Sequence, residues 1–176
     1  YHLMAISIGI PAIVDKSNGI FVNTSLYEAI EKIDLISTLQ RRYNVTVFLE
    51  NIVNLSAIAE HKYGAGKNTD NMIFIEIGNG IGAGIIIDKH LFRGSFGAAG
   101  EIGFTLTSIE NLCKKPTSIG NLERVGSLET MEKEAADYIT KGKEVTIKQK
   151  NASYICEAAI QNDPMANQII DSIVKH

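Results

Sequence analysis

Between Ile77 and Ile87 the sequence reads IGNGIGAGIII, with glycine at 78, 80, 82 and 84. In an extended chain, residues two apart share a face. One side of this segment is therefore bare backbone, open to close approach. Apolar runs lie on either side of Asn79-Gly80, at 72–77 and 82–87. Asn-Gly is the favoured two-residue hairpin turn, because both positions need positive φ. The segment predicts two strong strands joined by a tight turn. The bare side can hold a phosphate against main-chain N–H groups, or let a neighbour pack tightly. Spacing alone favours packing. No helix opens directly after the glycines, so this is not the dinucleotide fingerprint.

The rest of the chain supplies both kinds of element. Residues 3–10 are apolar and β-branched and run into Pro11, which reads as a buried strand and turn. Residues 15–19 form a turn cluster. Residues 29–42 place Ile30, Ile33, Leu35, Ile36 and Leu39 near helical spacing. Residues 45–49 read as a strand, and Asn51 caps a helix running to about Tyr63. Residues 101–106 look strand-like, and 108–120 form an irregular loop. Helices follow at 122–139, 152–161 and 164–175, the last opened by Asp163 as cap and Pro164 in the first turn. Strand and helix alternate, then a hairpin, then helices, so the class is α/β.

Composition narrows the function. The 176 residues are 45% hydrophobic and 21% charged, an ordinary globular balance. The net charge is −3, and no Lys/Arg run exceeds the pairs Arg41-Arg42 and Lys114-Lys115. Gripping nucleic acid needs a concentrated basic surface, so these residues are not expected to bind it by themselves. Cys113 and Cys156 are too few for a disulfide framework, which suits a cytoplasmic protein. The most apolar stretch, 72–87, carries Glu76 and Asn79 and is too short to span a membrane. No basic residue precedes the apolar 3–14 segment and Pro11 interrupts it, which argues against a signal peptide. A chain opening on Tyr1 inside a strand reads as truncated at the N-terminus.

With these residues in view, IEIGNGIGAGIIIDKHLFRGSFGAAGEIG resembles the signature segment of the ROK family (repressors, open reading frames and sugar kinases). VTVFLENIVNLSAIAEHKYGAG resembles its strand–helix segment, which normally reads E-N-D-x-N-x-x-A-x-x-E. GIPAIVD resembles its G-V-P-G-x-V-D turn, and NASYICEAAIQNDPMANQIID its helices after the metal loop. The resemblance implies an actin-like (ribonuclease-H-like) two-lobed sugar-kinase fold, with the sugar in the cleft. Residues 1–50 would be a remnant of the first lobe and 51–176 most of the second. The first phosphate motif, Asp-x-Gly-Gly-Thr, would lie upstream of Tyr1.

The departures from the family pattern carry the functional reading. In the family's kinases the Asp of E-N-D is the general base; here the segment is Glu50-Asn51-Ile52. Isoleucine cannot accept a proton, and losing a general base costs about 10²–10⁴-fold in rate. Phe104 stands where the family's zinc site has His, and its C-x-C-G-x-x-G-C loop is reduced to the lone remnant Cys113, with Lys115 and Asn121 near other cysteine positions. A structural zinc needs four N or S ligands, so no metal is expected. By the resemblance, Asn51, Glu101 and Glu123 match sugar-binding positions, since buried hydroxyls need partners. Asn51 can equally be an N-cap, and Glu123 a first-turn carboxylate. Gly78, Asn79, Gly80 and Gly82 are the phosphate-loop-like residues, with ATP itself doubtful.

These readings converge on the effector-sensing domain of a ROK-type transcriptional regulator that binds a sugar or sugar phosphate without turning it over. DNA contact would come only through an N-terminal helix-turn-helix, and self-association is expected. The alternative is an ATP-dependent, glucokinase-like sugar kinase with an altered site. A scaffold that binds no sugar is a third reading, favoured by Phe104 and by Ala12 in place of a family glycine.

Overall fold

The computed structural model describes residues 2–15, 20–22, 34–112, 119–140, 146 and 149–175. Tyr1, most of the 15–19 turn cluster, the start of the 29–42 helix, Cys113 with Lys114 and Lys115, and His176 lie outside the described residues. Two compact units form, residues 1–75 with 82–101, and residues 76–81 with 102–176.

In the first unit, β1 (Ala5–Ile10) and β4 (Thr46–Asn51) pair in parallel, with Ala5 opposite Thr46 and Ile10 opposite Asn51. A parallel pair needs a crossover, and helix α1 (Leu35–Tyr43) lies within it. Asp34 caps α1 by accepting from the Ser37 N–H at 3.1 Å, and Asn44, at φ 51, ends it. Strand β1 is not buried throughout: Ala5, Ser7 and Gly9 are exposed, and Ile6, Ile8 and Ile10 half-buried. Only one side has a core to meet, where Ile8 and Ile10 join Ala12, Val14, Leu49, Leu35 and Ile36. A short antiparallel ribbon, β2 (Ile13–Asp15) with β3 (Ile20–Val22), follows the Pro11 turn. Strand β4 hands directly into helix α2 (Ile52–Tyr63).

A three-stranded sheet runs in the order β5 (Met72–Ile77), β6 (Ile81–Ile87), β7 (His90–Phe92). The positive-φ turn expected at Asn79-Gly80 is elsewhere. Asp88 and Lys89, at φ 50 and 66, form the two-residue loop between β6 and β7, where Ile87 faces His90. The β5–β6 link takes three residues and closes with the Gly78 N–H donating to the Gly80 carbonyl at 2.8 Å. That longer link removes the demand for left-handed backbone at Asn79. Helix α2 covers Gly82 and Gly84, as the packing reading anticipates. A Cβ on Gly82 would sit 3.3 Å from a Val53 methyl, and one on Gly84 would collide with the Ala57 side chain.

The second unit is helical: α3 (Asn121–Gly126), α4 (Leu128–Thr140), α5 (Ala152–Ile160) and α6 (Pro164–Val174). The single helix expected over 122–139 is broken at Ser127, which is extended (ψ 160) and accepts from the Thr130 N–H at 3.3 Å through its hydroxyl. Glycine at 126 weakens the helix and a serine cap restarts it. Asp163 caps α6 as expected, accepting from the Met165 and Ala166 N–H groups at 2.9 Å each. The core here joins Met131 and Ala135 of α4, Ala152 and Ile155 of α5, and Ala166 and Ile169 of α6. Ile155 and Ile169 are fully buried.

Residues 101–106 are not a strand. Ile102–Phe104 make a 3-10 turn, with Gly103 buried. The apolar pattern there is overridden by backbone contact: a Cβ on Gly103 would stand 2.5 Å from the Ile81 carbonyl oxygen.

Truncating a fully buried branched side chain costs about 2–5 kcal/mol, against less than about 0.5 for an exposed one. Ile169→Ala is expected to lower the denaturation midpoint sharply, while Ile160→Ala, 76% exposed, leaves it nearly unchanged. Equal losses in urea titrations of the two variants would contradict this placement of the core.

Candidate functional site

The junction of β4 and α2 is built around one buried carboxylate. Glu50 ends an otherwise apolar run and is only 8% exposed. Arg93, just after β7, donates from Nε and Nη2 to Glu50 Oε2 at 2.9 and 2.7 Å. Glu50 Oε1 accepts from the Asn51 N–H and from Asn54 Nδ2, both at 3.2 Å. Asn54 is itself buried. The two bonds from Arg93 are charge-assisted and short, and the four together engage both oxygens.

Asn51 is held from two sides. Its Oδ1 accepts from the Val53 N–H at 2.7 Å and the Asn54 N–H at 3.3 Å, which caps α2. Its Nδ2 donates to the Ala12 carbonyl at 3.0 Å, tying the junction to the turn after β1. Ile52, at the expected base position, is the first residue of α2, and its methyl lies on the Gly9 side of β1. No proton acceptor is supplied by its side chain.

A loop from Arg93 to Glu101 closes over this junction. Three of its glycines are left-handed: Gly94, Gly97 and Gly100, at φ 68, 73 and 88. Two of them are close approaches. A Cβ on Gly97 would lie 2.5 Å from the Val14 carbonyl oxygen, and one on Gly100 would collide with the Ala83 carbonyl. The Ala83 N–H donates to the Gly100 carbonyl at 2.7 Å, and the Ala99 N–H to the Arg93 carbonyl at 3.0 Å. Asn51, Asn54, Gly82 and Glu101 share a narrow hollow of about 10 Å³ within this unit. The hollow itself has room for about a water molecule, and Asn51 and Glu101 on its lining are both half-buried.

Glu123 and Gly78 to Gly80 belong to the second unit. The Gly78 carbonyl accepts from the Leu128 N–H at 2.9 Å, fastening the turn to the start of α4. Glu123, in the first turn of α3, accepts from the Ile81 backbone N–H, and its carboxylate would lie 3.4 Å from a Cβ on Gly80 and 3.1 Å from one on Gly103. Burial raises the Glu123 pKa above the ordinary value, the charge of Glu129 raises it further, and the Ile81 N–H opposes both.

Of the expected sugar residues, Asn51 and Glu101 come together in one unit, and Glu123 stands with the Gly78–Gly80 turn in the other. The sequence reading assigns no role to Glu50, Asn54 or Arg93. The available signal was a carboxylate inside an apolar strand, and an arginine that is the sole Arg or Lys between Lys89 and Lys114. Phe104, exposed, and Asn121, the first residue of α3, offer neither imidazole nor thiolate, so they do not fit a structural zinc. Among the described residues no group of three or more His, Cys, Asp or Glu is placed to hold a metal.

A family model described as ROK family matches residues 1–176. The chain is 45% identical over 104 residues to the xylose repressor of Bacillus subtilis (strain 168), covering 58% of this chain and 26% of that protein. It is 29% identical over 179 residues to the DNA-binding transcriptional dual regulator NagC of Escherichia coli (strain K12), covering 99% and 43%. It thus spans less than half the length of either relative. Among solved structures, a ROK family transcriptional regulator, a homolog of E. coli MLC protein, superposes with a TM-score of 0.80 at 27% identity, over 97% of this chain and 43% of that one. A ROK family glucokinase from Streptomyces griseus, in complex with glucose and AMPPNP, gives 0.74 at 27%, over 98% and 58%. The α/β fold is the actin-like one that these regulators and sugar kinases share.

The raised Glu123 pKa has a definite sign in stability. The folded state holds this proton to higher pH than the unfolded chain does. The group's favourable contribution is therefore complete below the ordinary value of 4.5 and is lost as pH climbs through the raised one. Glu123→Gln, which can still accept from Ile81, is expected to gain melting temperature relative to the parent as pH rises above the ordinary value of 4.5. A difference that does not change with pH would show that the carboxylate carries no such penalty.

Proposed function

The chain belongs to the ROK family, and on that premise we propose that it is the sugar-sensing part of a transcriptional regulator that no longer transfers phosphate. The observation that carries the reading is Ile52, which opens α2 beside Gly9 and which, by the resemblance of the Glu50-Asn51-Ile52 segment, stands for the acid of the family's kinases. The naming of relatives such as the Bacillus subtilis xylose repressor as regulators supports it. The effector class is a small sugar, held by Asn51 and Glu101. D-Xylose and N-acetylglucosamine head the panel, since relatives are named as xylose and N-acetylglucosamine repressors.

DNA contact belongs, in this proposal, to a helix-turn-helix in a longer polypeptide that carries these residues, because the net charge of −3 and the short basic runs do not suit phosphate binding. No helix among the described residues is long and apolar enough to cross a membrane, and the site of action proposed is the cytoplasm. Self-association is part of the proposal. Neither zinc nor ATP has a role in it. The second reading, a sugar kinase with an altered site, draws on the likeness to the Streptomyces griseus glucokinase.

Two assays on the full-length polypeptide separate the readings. Gel shifts on its own promoter region are expected to respond to one sugar of the panel, and ADP release with ATP and the same sugars to stay at background. Turnover near 1 per second, an ordinary enzymatic rate, would establish the kinase and sink the regulator.

Within the pocket, Glu101→Gln is expected to weaken sugar binding by about 1.5–3 kcal/mol, the range for hydrogen bonds to a charged group. Asn51→Ala is expected to cost about 1 kcal/mol of stability as a lost cap even without sugar. Calorimetric titration and sugar-free melting separate the two effects. Undiminished sugar affinity in Glu101→Gln would move the scaffold reading ahead.

A further inference from the structure

We propose that Arg93 is a positioning residue for the effector: through Glu50 it sets where Glu101 stands relative to Asn51. The inference rests on the sugar-sensing reading, but its geometry lies wholly in the first unit. Arg93 and Glu101 are the two ends of one loop. At its first end, the Arg93 guanidinium grips Glu50 Oε2 with two N–H groups, at 2.9 and 2.7 Å. Glu50 Oε1 reaches the backbone of Asn51 and the side chain of Asn54. The start of the loop is thereby fastened to the residues that open α2.

Between the ends, the loop is fixed by backbone rather than side chains. The Ala99 N–H returns to the Arg93 carbonyl at 3.0 Å, and the Gly100 carbonyl accepts from the Ala83 N–H at 2.7 Å. Gly97 passes the Val14 carbonyl too closely for any other residue. Glu101 follows Gly100 directly. A shift at Arg93 is transmitted through Ala99 and Gly100 to the carboxylate.

The same network sets the hydrogen-bonding sense of Asn51. Its oxygen is committed to two N–H groups of α2 and one amide hydrogen to Ala12. What it has left to offer is an N–H, a donor. Glu101, as a carboxylate, accepts. The pair suits a sugar hydroxyl that accepts from one and donates to the other, provided their spacing is held. One amide hydrogen of Asn54 is engaged by Glu50. Arginine suits this post better than lysine because its planar fork makes two contacts where an ammonium makes a point contact.

The experiment uses the full-length polypeptide with D-xylose and N-acetylglucosamine as calorimetric probes, and follows amide hydrogen exchange in the same samples. Arg93→Met is expected to weaken sugar binding by about tenfold to a hundredfold and to speed exchange at Ala99 and Ala83, while the amides around Ile155 and Ile169 keep their protection. Arg93→Lys, a milder variant should Arg93→Met fail to fold, is expected to fall between the two. Glu50→Gln combined with Arg93→Lys is expected to cost no more affinity than the worse single change, because both act through one contact. Unchanged affinity together with unchanged exchange at Ala99 in Arg93→Lys and Arg93→Met overturns the proposal, and so does full additivity in the double variant. If the parent binds neither sugar, the sugar-sensing reading fails, and exchange at Ala99 alone decides whether Arg93 holds the loop.

Discussion

Glu50 is buried, paired with Arg93 and held on both oxygens, and the first unit is arranged around it. An ion removed from water carries a desolvation penalty of several kcal/mol unless its partners are well placed. Here both carboxylate oxygens are engaged, by Arg93 from 43 residues away and by Asn51 and Asn54 from within four. The worth of such a pair lies less in net stability than in geometry, since apolar replacements of buried ion pairs are often as stable. What it fixes is the hand-over from β4 to α2, and with it the turn at Ala12 and the loop that follows β7.

The glycines divide their labour in a way that one shared face does not describe. Gly82 and Gly84 make room for α2, Gly97 and Gly100 for backbone carbonyls, and Gly78 and Gly80 for a turn that α4 and Glu123 hold. Each removes a side chain where two backbones, or a backbone and a helix, run closer than a Cβ permits. A stretch rich in glycine is therefore among the most tightly constrained parts of this chain.

Local signals were legible where local chemistry decides. Asn51 and Asp163 cap the helices they were expected to cap, because a short polar side chain at a helix start satisfies the N–H groups beside it. Asn79-Gly80 was misread as a left-handed turn, since the length of a link, which sequence does not display, chose another geometry. Residues 101–106 were misread as a strand because apolar alternation says nothing of a carbonyl waiting at Ile81. The Glu50–Arg93 pair was invisible for a related reason. No periodicity joins residues so far apart, and only the folded chain brings them within 2.7 Å.

Asn51 is both a helix cap and a proposed sugar contact, and the two jobs use different ends of one amide. Natural selection thus acts on this position twice. A lineage that abandoned the sugar would still be held to asparagine, or to a close stand-in, by the need to start α2. Persistence of Asn51 across relatives is then poor testimony to ligand binding. Glu101 opens no α-helix, so drift at that position is the more informative record of whether a protein of this kind still answers to a sugar.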